Sequence, residues 1–306
     1  MSASFASALG AAREAAAAQH YPQGALYVVA TPIGNLADIT LRALHVLQLA
    51  DAIACEDTRH TQALLRSYGL ERPGGQLLAV HQHNEQEAAQ TVVQRLQAGQ
   101  RVAYVSDAGT PGVSDPGARL VAAVRAAGLR ALPLPGASSV TTALSVAGAV
   151  APGVEGSGFV FAGFLPTKPG ERAQAVAALA QEPRCVVLLE APHRIAELAQ
   201  ALATLGPRPV TLGRELTKQF EEVVTQPACE LPTWLAGGPQ RTRGEFVVLL
   251  HPAAAEGDAG EGLRALRLLL QELPVKTAVR LAAEITGEPR NALYAAALAL
   301  KHGDTP

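Results

Sequence analysis

The chain has few cysteines and few aromatic residues. Its 306 residues include three cysteines, Cys55, Cys185 and Cys229, which are far apart in the sequence. This spacing excludes a disulfide-rich scaffold and a cysteine zinc site. Aromatic residues make up 4% of the chain, and 60 residues are alanine. We therefore expect leucine and valine to build most of the buried core.

The sequence also lacks a strong charge of either sign and a long apolar run. Its formal net charge is −2 and its pI is about 6.5, so the composition gives no general signal for nucleic acid or membrane. A local basic patch is still compatible with these values. No apolar run reaches the roughly 20 residues that span a bilayer. Residues 1–24 lack the features of a signal peptide, so we expect a cytoplasmic protein with a flexible tail over 1–24.

Strand patterns alternate with helical patterns over the first half of the chain. Several predicted helices end at a glycine, which is a common signal for a helix C-terminus. Strands joined by single helices indicate right-handed crossovers and a mostly parallel sheet, in which ligands bind at the carboxyl ends of the strands. The predicted strands are Ala25–Ala30, Ala52–Cys55, Leu77–Val80, Arg101–Val105 and Ala131–Leu134.

A segment rich in glycine and proline, 149–158, interrupts this alternation. We therefore predict one α/β domain over residues 25–150 and a second α/β domain over residues 157–252. The last strand patterns of the second domain follow one another without long crossovers, so its sheet should be mixed. These strands are Pro209–Leu212, Glu222–Thr225 and Glu245–His251.

A small helical appendage is predicted at the end of the sequence. Residues 253–262 have the composition of a flexible linker, and residues 263–306 contain helical patterns. The appendage has six Lys or Arg against four Asp or Glu. Charge alone leaves two interpretations open, which are contact with nucleic acid and simple packing.

The loop most suited to ligand binding, Ser106–Gly117, directly follows the fourth predicted strand. It holds three Gly, two Pro and two Asp, and it suits a ligand with an amine and a carboxylate, or the edge of an adenine. It does not match a P-loop. The loop after the first strand, 31–36, lacks the G-x-G-x-x-G fingerprint, which argues against a dinucleotide-dependent oxidoreductase. Ser138 and Ser139 follow the fifth strand, where they either cap a helix or help to hold a carboxylate.

Polar clusters also follow other strands, which is the pattern of two α/β domains that face one cleft. Asp57 is well placed in one of them as a helix cap. The pair His81 and His83 is too isolated to indicate a metal site, and the sequence has no H-E-x-x-H motif, so we predict no metal. The clusters are 56–60, 165–172, 190–194 and 214–218.

These motifs, in this order, resemble the tetrapyrrole methylase superfamily of S-adenosylmethionine-dependent methyltransferases. Within it, the chain is most similar to the bacterial group that methylates the 2′-oxygen of a cytidine in small-subunit ribosomal RNA. Two departures are the alanine-rich start and Leu189, where an aromatic residue is common. The blocks that carry the resemblance include VVATPIGNLADIT (28–40), ACEDTRHT (54–61), HNE (83–85), VSDAGTPGVSDPG (105–117), PGASS (135–139), GFLPTK (163–168), EAPHR (190–194), GRELTKQFEE (213–222) and GEFVVLL (244–250).

The resemblance implies two α/β domains with the methyl donor, S-adenosylmethionine, in the cleft between them. It also implies a homodimer, no metal, and a partner in the 16S ribosomal RNA of the small ribosomal subunit, with the target cytidine in the decoding region. The donor contacts that it implies are Pro32, Gly34, Asp107, Ala108, Gly109, Thr110, Pro111, Ser138, Ser139, Leu189 and Glu190.

Transfer to a ribose hydroxyl requires that its proton be accepted by a nearby group. We expect Asp57 or Lys168 to accept it, with Glu190, His193 and Lys218 as further candidates. We expect basic residues at the cleft, among them Lys168, to hold the RNA backbone. The others are Arg59, Arg172, Arg194 and Lys218.

Two alternatives differ in the class of function. One is a methylase of the same superfamily that acts on a tetrapyrrole or another small molecule. The other is a scaffold that binds RNA without catalysis, for which S-adenosylmethionine would give no calorimetric signal.

Overall fold

The computed structural model describes residues 5–81, 84–150, 158–253, 258–287 and 289–302. Within them, two α/β regions are followed by three helices. The predicted α/β fold class is therefore confirmed. His83, which belongs to one of the sequence blocks above, lies outside the described residues. So do residues 151–157 of the predicted domain boundary.

The first α/β region is built on a wholly parallel sheet, whereas the alternating pattern predicted a mostly parallel one. Its order is β3-β2-β4-β1-β5, so β5 forms one edge. The strands are β1 (Ala25–Val29), β2 (Ala52–Cys55), β3 (Leu77–Ala79), β4 (Val102–Val105) and β5 (Arg130–Leu134). The helices after them are α2 (Leu41–Leu49), α3 (Thr58–Ser67), α4 (Glu85–Gln97), α5 (Gly117–Ala126) and α6 (Ser139–Ala147).

The helices of this region begin at polar caps that the sequence provides. The Thr40 hydroxyl accepts a hydrogen bond from the Ala43 N–H at 3.1 Å at the start of α2. At the start of α3, Asp57 Oδ1 accepts from the N–H groups of Arg59, at 2.7 Å, and His60. These caps satisfy N–H groups that a helix leaves unpaired. Apolar faces on both sides of the sheet then pack against the helices.

The start of the chain differs from the expected flexible tail over 1–24. Residues Ala6–Ala16 form helix α1, which packs against α2. Ala12 and Ala16 are buried in the same apolar cluster as Leu44 and Leu47. Alanine lets the two helices approach closely, so a segment with little bulky apolar surface still contributes to the core.

The second α/β region has the mixed sheet that its short connections predicted. Its order is β6-β7-β10-β8-β9; β6 and β7 are parallel, and the other neighbours are antiparallel. The strands are β6 (Phe159–Gly163), β7 (Cys185–Glu190), β8 (Pro209–Arg214), β9 (Glu222–Pro227) and β10 (Phe246–Leu250). The helices are α7 (Pro169–Leu179), α8 (Ile195–Leu202) and the unpredicted α9 (Leu231–Ala236).

Three helices follow the second sheet and share an apolar core of their own. They are α10 (Asp258–Glu272), α11 (Val275–Thr286) and α12 (Arg290–His302). Helix α10 begins inside the predicted linker 253–262, and residues 254–257 lie outside the described residues. Within the described ranges, no helix is long and apolar enough to cross a membrane.

Candidate functional site

A cavity of about 340 Å³ lies between the two α/β regions. Loops that follow strands of both sheets form its walls, together with the start of β10. This is the position at which open α/β sheets bind ligands. The lining residues are Ile33, Ala108, Gly109, Thr110, Val113, Ser138, Ser139, Phe164, Leu189, Glu190, Ala191, Pro192, Leu216, Glu245, Phe246 and Val247.

The loop 106–117 after β4 forms the wall of the cavity on the side of the first region, and we call it the donor loop. Thr31 and Gly109 exchange two backbone hydrogen bonds, with N–O distances of 2.9 and 3.1 Å. The Thr110 hydroxyl donates to the Ala137 carbonyl at 2.9 Å. Gly109 has a φ of +81°, and a Cβ there would lie 3.2 Å from Ile33 Cγ2. Glycine therefore satisfies both the backbone conformation and the close packing.

Asp115 holds the second half of the donor loop in shape. Its carboxylate accepts hydrogen bonds from the N–H groups of Gly112 (2.6 Å), Val113 (3.1 Å) and Gly117 (2.7 Å). The Tyr104 hydroxyl donates a fourth bond at 3.1 Å. Burial raises the pKa of Tyr104, so its hydroxyl keeps the proton that it donates. The loop is therefore ordered before any ligand arrives.

Glu190 is the most unusual side chain on the cavity wall. Its side chain is 0% exposed, and Arg194 Nε lies 3.2 Å from its Oε1. The Ala191 N–H also donates to Oε1, at 2.9 Å. The other oxygen, Oε2, is buried and has no hydrogen-bond partner among the described residues. A buried carboxylate oxygen without a donor is costly, so this atom is suited to accept a hydrogen bond from a ligand in the cavity.

The N-terminus of α6 also faces the cavity through Ser138 and Ser139. Ser138 occupies the cap position, but its side chain makes no capping hydrogen bond. The sequence left two roles open for Ser138, which are capping of the helix and binding of a carboxylate. Ser138 does not cap the helix. Its hydroxyl and the N-terminal backbone of α6 are available to an anionic group such as a carboxylate.

The two α/β regions meet beside this cavity at a short seam. The Asn35 N–H donates to the Thr217 hydroxyl at 3.1 Å. A Cβ at Gly34 would overlap the side chains of Lys218 and Thr217. Thr217 has a φ of +66°, a conformation that L-residues other than Gly, Asn and Asp seldom adopt. Lys218 Nζ lies 2.9 Å from an oxygen of Glu215, in the same turn.

Seven of the eleven predicted donor contacts line the cavity, and the other four do not. The seven that line the cavity are Ala108, Gly109, Thr110, Ser138, Ser139, Leu189 and Glu190. Gly34 and Pro32 are not among the lining residues, and Gly34 packs at the seam instead. The Asp107 N–H donates to Glu56 at 3.0 Å, so this residue ties two loops together. Pro111 lines a different groove, along β5.

Several lining residues were not predicted as contacts. Ile33, Phe164 and Leu216 provide apolar surface, and residues 245–247 enter from β10. The sequence did contain a signal for them, because most lie in or next to the quoted blocks TPIGN, GFLPTK, GRELTK and GEFVV. Leu216 also lies within the polar cluster 214–218 that follows a predicted strand.

The candidate proton acceptors do not line the cavity, apart from Glu190. The Arg59 N–H, which donates to Asp57 Oδ1, lowers the pKa of Asp57, so this carboxylate is ionised at neutral pH. Lys168 Nζ lies 2.9 Å from Glu171, and both side chains are exposed. His193 is exposed as well.

The predicted RNA-binding residues differ in their exposure. The side chain of Arg59 is 92% exposed. That of Arg172 is 5% exposed and pairs with Glu197 at 2.8 Å. Arg194 pairs with Glu190 and donates to a backbone carbonyl at 2.6 Å. Arg172 and Arg194 are thus engaged in ion pairs within the protein, and Lys218 is partly buried at the seam. Contact of these residues with RNA stays a prediction.

No group of three or more His, Cys, Asp or Glu side chains is placed to hold a metal ion in the part of the chain that the structure describes. Burial raises the pKa of the Cys55 thiol to about 11, so Cys55 is protonated at neutral pH. The polar side chains that line the cavity carry carboxylates and hydroxyls, as in Glu190, Glu245, Ser138, Ser139 and Thr110.

Comparison with known proteins relates this architecture to methyltransferases. The family model for Tetrapyrrole (Corrin/Porphyrin) Methylases matches residues 25–232. The model described as the RsmI C-terminal HTH domain matches residues 256–301. Among solved structures, uroporphyrin-III-C-methyltransferase from Thermus thermophilus has a TM-score of 0.52 at 24% identity, covering 74% of this chain and 94% of its own. Cobalt precorrin-4 methyltransferase has a TM-score of 0.54 at 18% identity, covering 76% and 98%.

Curated relatives are much closer in sequence. Ribosomal RNA small subunit methyltransferase I of Xylella fastidiosa is 48% identical over 89% of this chain and 98% of its own length. The protein of the same name from Escherichia coli O157:H7 is 48% identical over 90% and 95%. The one from Neisseria meningitidis is 49% identical over 91% and 94%. The chain therefore belongs to the tetrapyrrole methylase family and, within it, to the ribosomal RNA small subunit methyltransferase I group.

Proposed function

We propose that the chain is an S-adenosylmethionine-dependent methyltransferase that methylates the 2′-oxygen of a cytidine ribose in the decoding region of 16S ribosomal RNA. The cavity between the two α/β regions carries the proposal, because it presents a built polar site at the carboxyl ends of the strands. The name of the curated relatives supports the ribosomal substrate. A solved relative of this fold is described as complexed with S-adenosylhomocysteine, which supports the donor.

The residues of the cavity fit such a donor. Its volume of about 340 Å³ lies within the range of small-molecule sites. The unpartnered Glu190 Oε2 would accept from a donor N–H or O–H group. The N-terminus of α6, with Ser138 and Ser139, would hold a carboxylate. The backbone of the donor loop would provide the remaining polar contacts.

Bound S-adenosylmethionine supplies a methyl group on a sulfonium and with it a good leaving group. The task of the protein is then to position the ribose hydroxyl, to exclude water and to accept a proton. The apolar side of the cavity, which includes Phe164, Leu216 and Phe246, limits the access of water to the donor.

We assign the proton acceptor to Asp57 rather than Lys168. Asp57 Oδ1 is used by the helix cap, but Oδ2 has no partner among the described residues. The Asp57 N–H donates to Asp107 Oδ1 at 3.3 Å, which links its position to the donor loop. Lys168, in contrast, is exposed in an ion pair with Glu171 at the start of α7.

The helical appendage is proposed to contact RNA as well. Helices α11 and α12 are separated by a short turn at Gly287, whose φ is +77°. In helix-turn-helix domains the second helix of such a pair meets the nucleic acid. Arg290, Asn291 and Tyr294 are exposed at the start of α12 and would face the substrate.

The proposal includes a homodimer in the cytoplasm. Strand β6 is an edge of the second sheet, and Phe159 and Phe161 on it are exposed. Val146 and Val150, close to the end of α6, are exposed too. Exposed apolar side chains of this size are found at protein interfaces, and a twofold axis would let such a surface cover its copy.

Transfer of a radiolabelled methyl group from S-adenosylmethionine tests the proposed function. The acceptors are purified small ribosomal subunits that lack the modification, large subunits, and a tetrapyrrole. We expect label in the RNA of the small subunit alone. Label in the tetrapyrrole would assign the chain to the small-molecule methylases, and the absence of both transfer and donor binding would favour the non-catalytic scaffold.

A further inference from the structure

A second and larger cavity, of about 1150 Å³, runs along the outer edge of the first sheet. Strand β5 is the edge strand, and all of its residues, 130–134, line this groove. Residues 19–22 form another wall, and helix α5 contributes a third. We call this cavity the β5 groove.

The β5 groove is positively charged. Arg42, Arg125, Arg130 and His20 are among its lining residues, and no Asp or Glu is. Arg125 and Arg130 are exposed, and none of the three arginines forms an ion pair with a described residue. Arg42 Nε is buried without a hydrogen-bond partner. In a chain of net charge −2, this is a concentration of unpaired positive charge.

Two carboxylates near these lining residues already have other partners. Asp115 follows the lining residues Pro111 and Gly112, but its two oxygens accept four hydrogen bonds from the donor loop and Tyr104. Glu85 pairs with Arg119, which does not line the groove. Since no described carboxylate pairs with the three arginines, they can meet an anionic ligand.

The groove and the proposed methyl-transfer site lie on either side of the donor loop, which contributes residues to both. Gly109, Thr110 and Val113 line the cavity between the two regions. Pro111 and Gly112, from the same loop, line the β5 groove. A polymer held in the groove would thus pass the loop that holds the donor.

We propose that the β5 groove binds the phosphodiester backbone of the RNA segment next to the methylated nucleotide. This inference rests on the proposed function and specifies which surface carries the substrate. Phosphates match a groove with unpaired arginines and no carboxylate. A second copy of the chain fits less well, because two such grooves facing each other across a twofold axis would bring like charges together.

The test compares two pairs of substitutions in otherwise unchanged protein. Arg125→Ala with Arg130→Ala removes two charges from the groove. Arg66→Ala with Arg95→Ala removes two charges from α3 and α4, away from β5. Binding of a fluorescein-labelled decoding-region RNA and of small subunits is measured over a range of salt concentrations. Calorimetry with S-adenosylmethionine confirms that each variant keeps its donor site.

The expected loss follows from counterion release. Two phosphate contacts to single-stranded RNA contribute about 1.4 to the slope of log K against log salt, or about 25-fold in affinity at 0.1 M salt. The groove variant should therefore bind RNA about 25-fold more weakly with a shallower slope, and its KM for subunits should rise. The control variant should stay within about twofold of the wild type, since it removes the same charge elsewhere.

Two results would overturn the groove assignment. One is RNA affinity and slope equal to those of the wild type. The other is a change from dimer to monomer in light scattering without a loss of RNA affinity, which would assign the groove to a second copy. Failure of the proposed function can be distinguished from failure of the groove assignment. In that case the wild type would not methylate subunits, while the groove variant would still lose RNA affinity.

Discussion

The substitution Glu190→Gln tests the polar core of the donor site with almost no change in shape. The amide keeps an oxygen that can accept from the Ala191 N–H, which lies 2.9 Å from Oε1. It replaces Oε2, which is buried and has no partner among the described residues, with an N–H₂ group. That group can only donate, so it cannot accept a hydrogen bond from the bound donor.

The magnitude follows from the type of bond that is lost. A hydrogen bond to a charged group contributes about 1.5–3 kcal/mol, so S-adenosylmethionine should bind about 10- to 150-fold more weakly. The substitution also removes the negative charge that Arg194 faces, since Arg194 Nε lies 3.2 Å from Glu190 Oε1. The free energy of unfolding should fall by about 1 kcal/mol, which is the difference between charged and neutral hydrogen bonds.

Calorimetric titration with S-adenosylmethionine measures the affinity, and urea unfolding measures the stability. Glu197→Gln is the matched control, because Glu197 also pairs with an arginine, Arg172, at 2.8 Å but does not line the cavity. The control should bind the donor as the wild type does. Donor affinity of Glu190→Gln within threefold of the wild type, in a folded protein, would refute the reasoning.

Four further predictions concern other parts of the molecule. Asp57→Asn keeps a good helix cap but not a base, so kcat should fall by about 10²–10⁴ with donor affinity unchanged; an unaltered kcat would exclude Asp57. Gly34→Ala should weaken donor binding, because its Cβ overlaps residues across the seam; equal affinity in calorimetry would contradict this. Iodoacetamide at pH 8 should alkylate exposed Cys229 and spare buried Cys55, as read by peptide mass spectrometry. Burial lowers the pKa of His251 below 6.5, so unfolding free energy should decline as pH drops below that value, and His251→Asn should show a smaller decline.

Local patterns in the sequence were sufficient to predict most of the fold. Short apolar strands, Asp57 at a helix start and glycine at helix ends are properties of a few neighbouring residues. The observed strands and caps match these expectations closely. Helix α1 was not predicted, because an alanine-rich helix shows little difference in hydrophobicity between its two faces. Its packing against α2 depends on a close approach of the two helices, which is visible only in the structure.

The parts of the candidate site that lie in loops directly after strands could be predicted from the sequence. The donor loop and Ser138 were found because composition and position coincide at a strand end. The roles of Gly34 and Arg172 were not, because their partners lie far away in the sequence. Gly34 packs against Thr217 and Lys218, and Arg172 is buried and pairs with Glu197. Sequence shows that a residue is charged or small, but burial decides whether it meets a ligand.

The central claim is that the cavity between the two α/β regions serves methyl transfer to a ribose of small-subunit RNA. Nucleoside mass spectrometry of small-subunit RNA, after incubation with the protein and S-adenosylmethionine, tests it most directly. We expect a new 2′-O-methylcytidine, formed by the wild type and strongly reduced with Glu190→Gln. A methyl group on a base, or full formation of the product by Glu190→Gln at limiting donor, would contradict it.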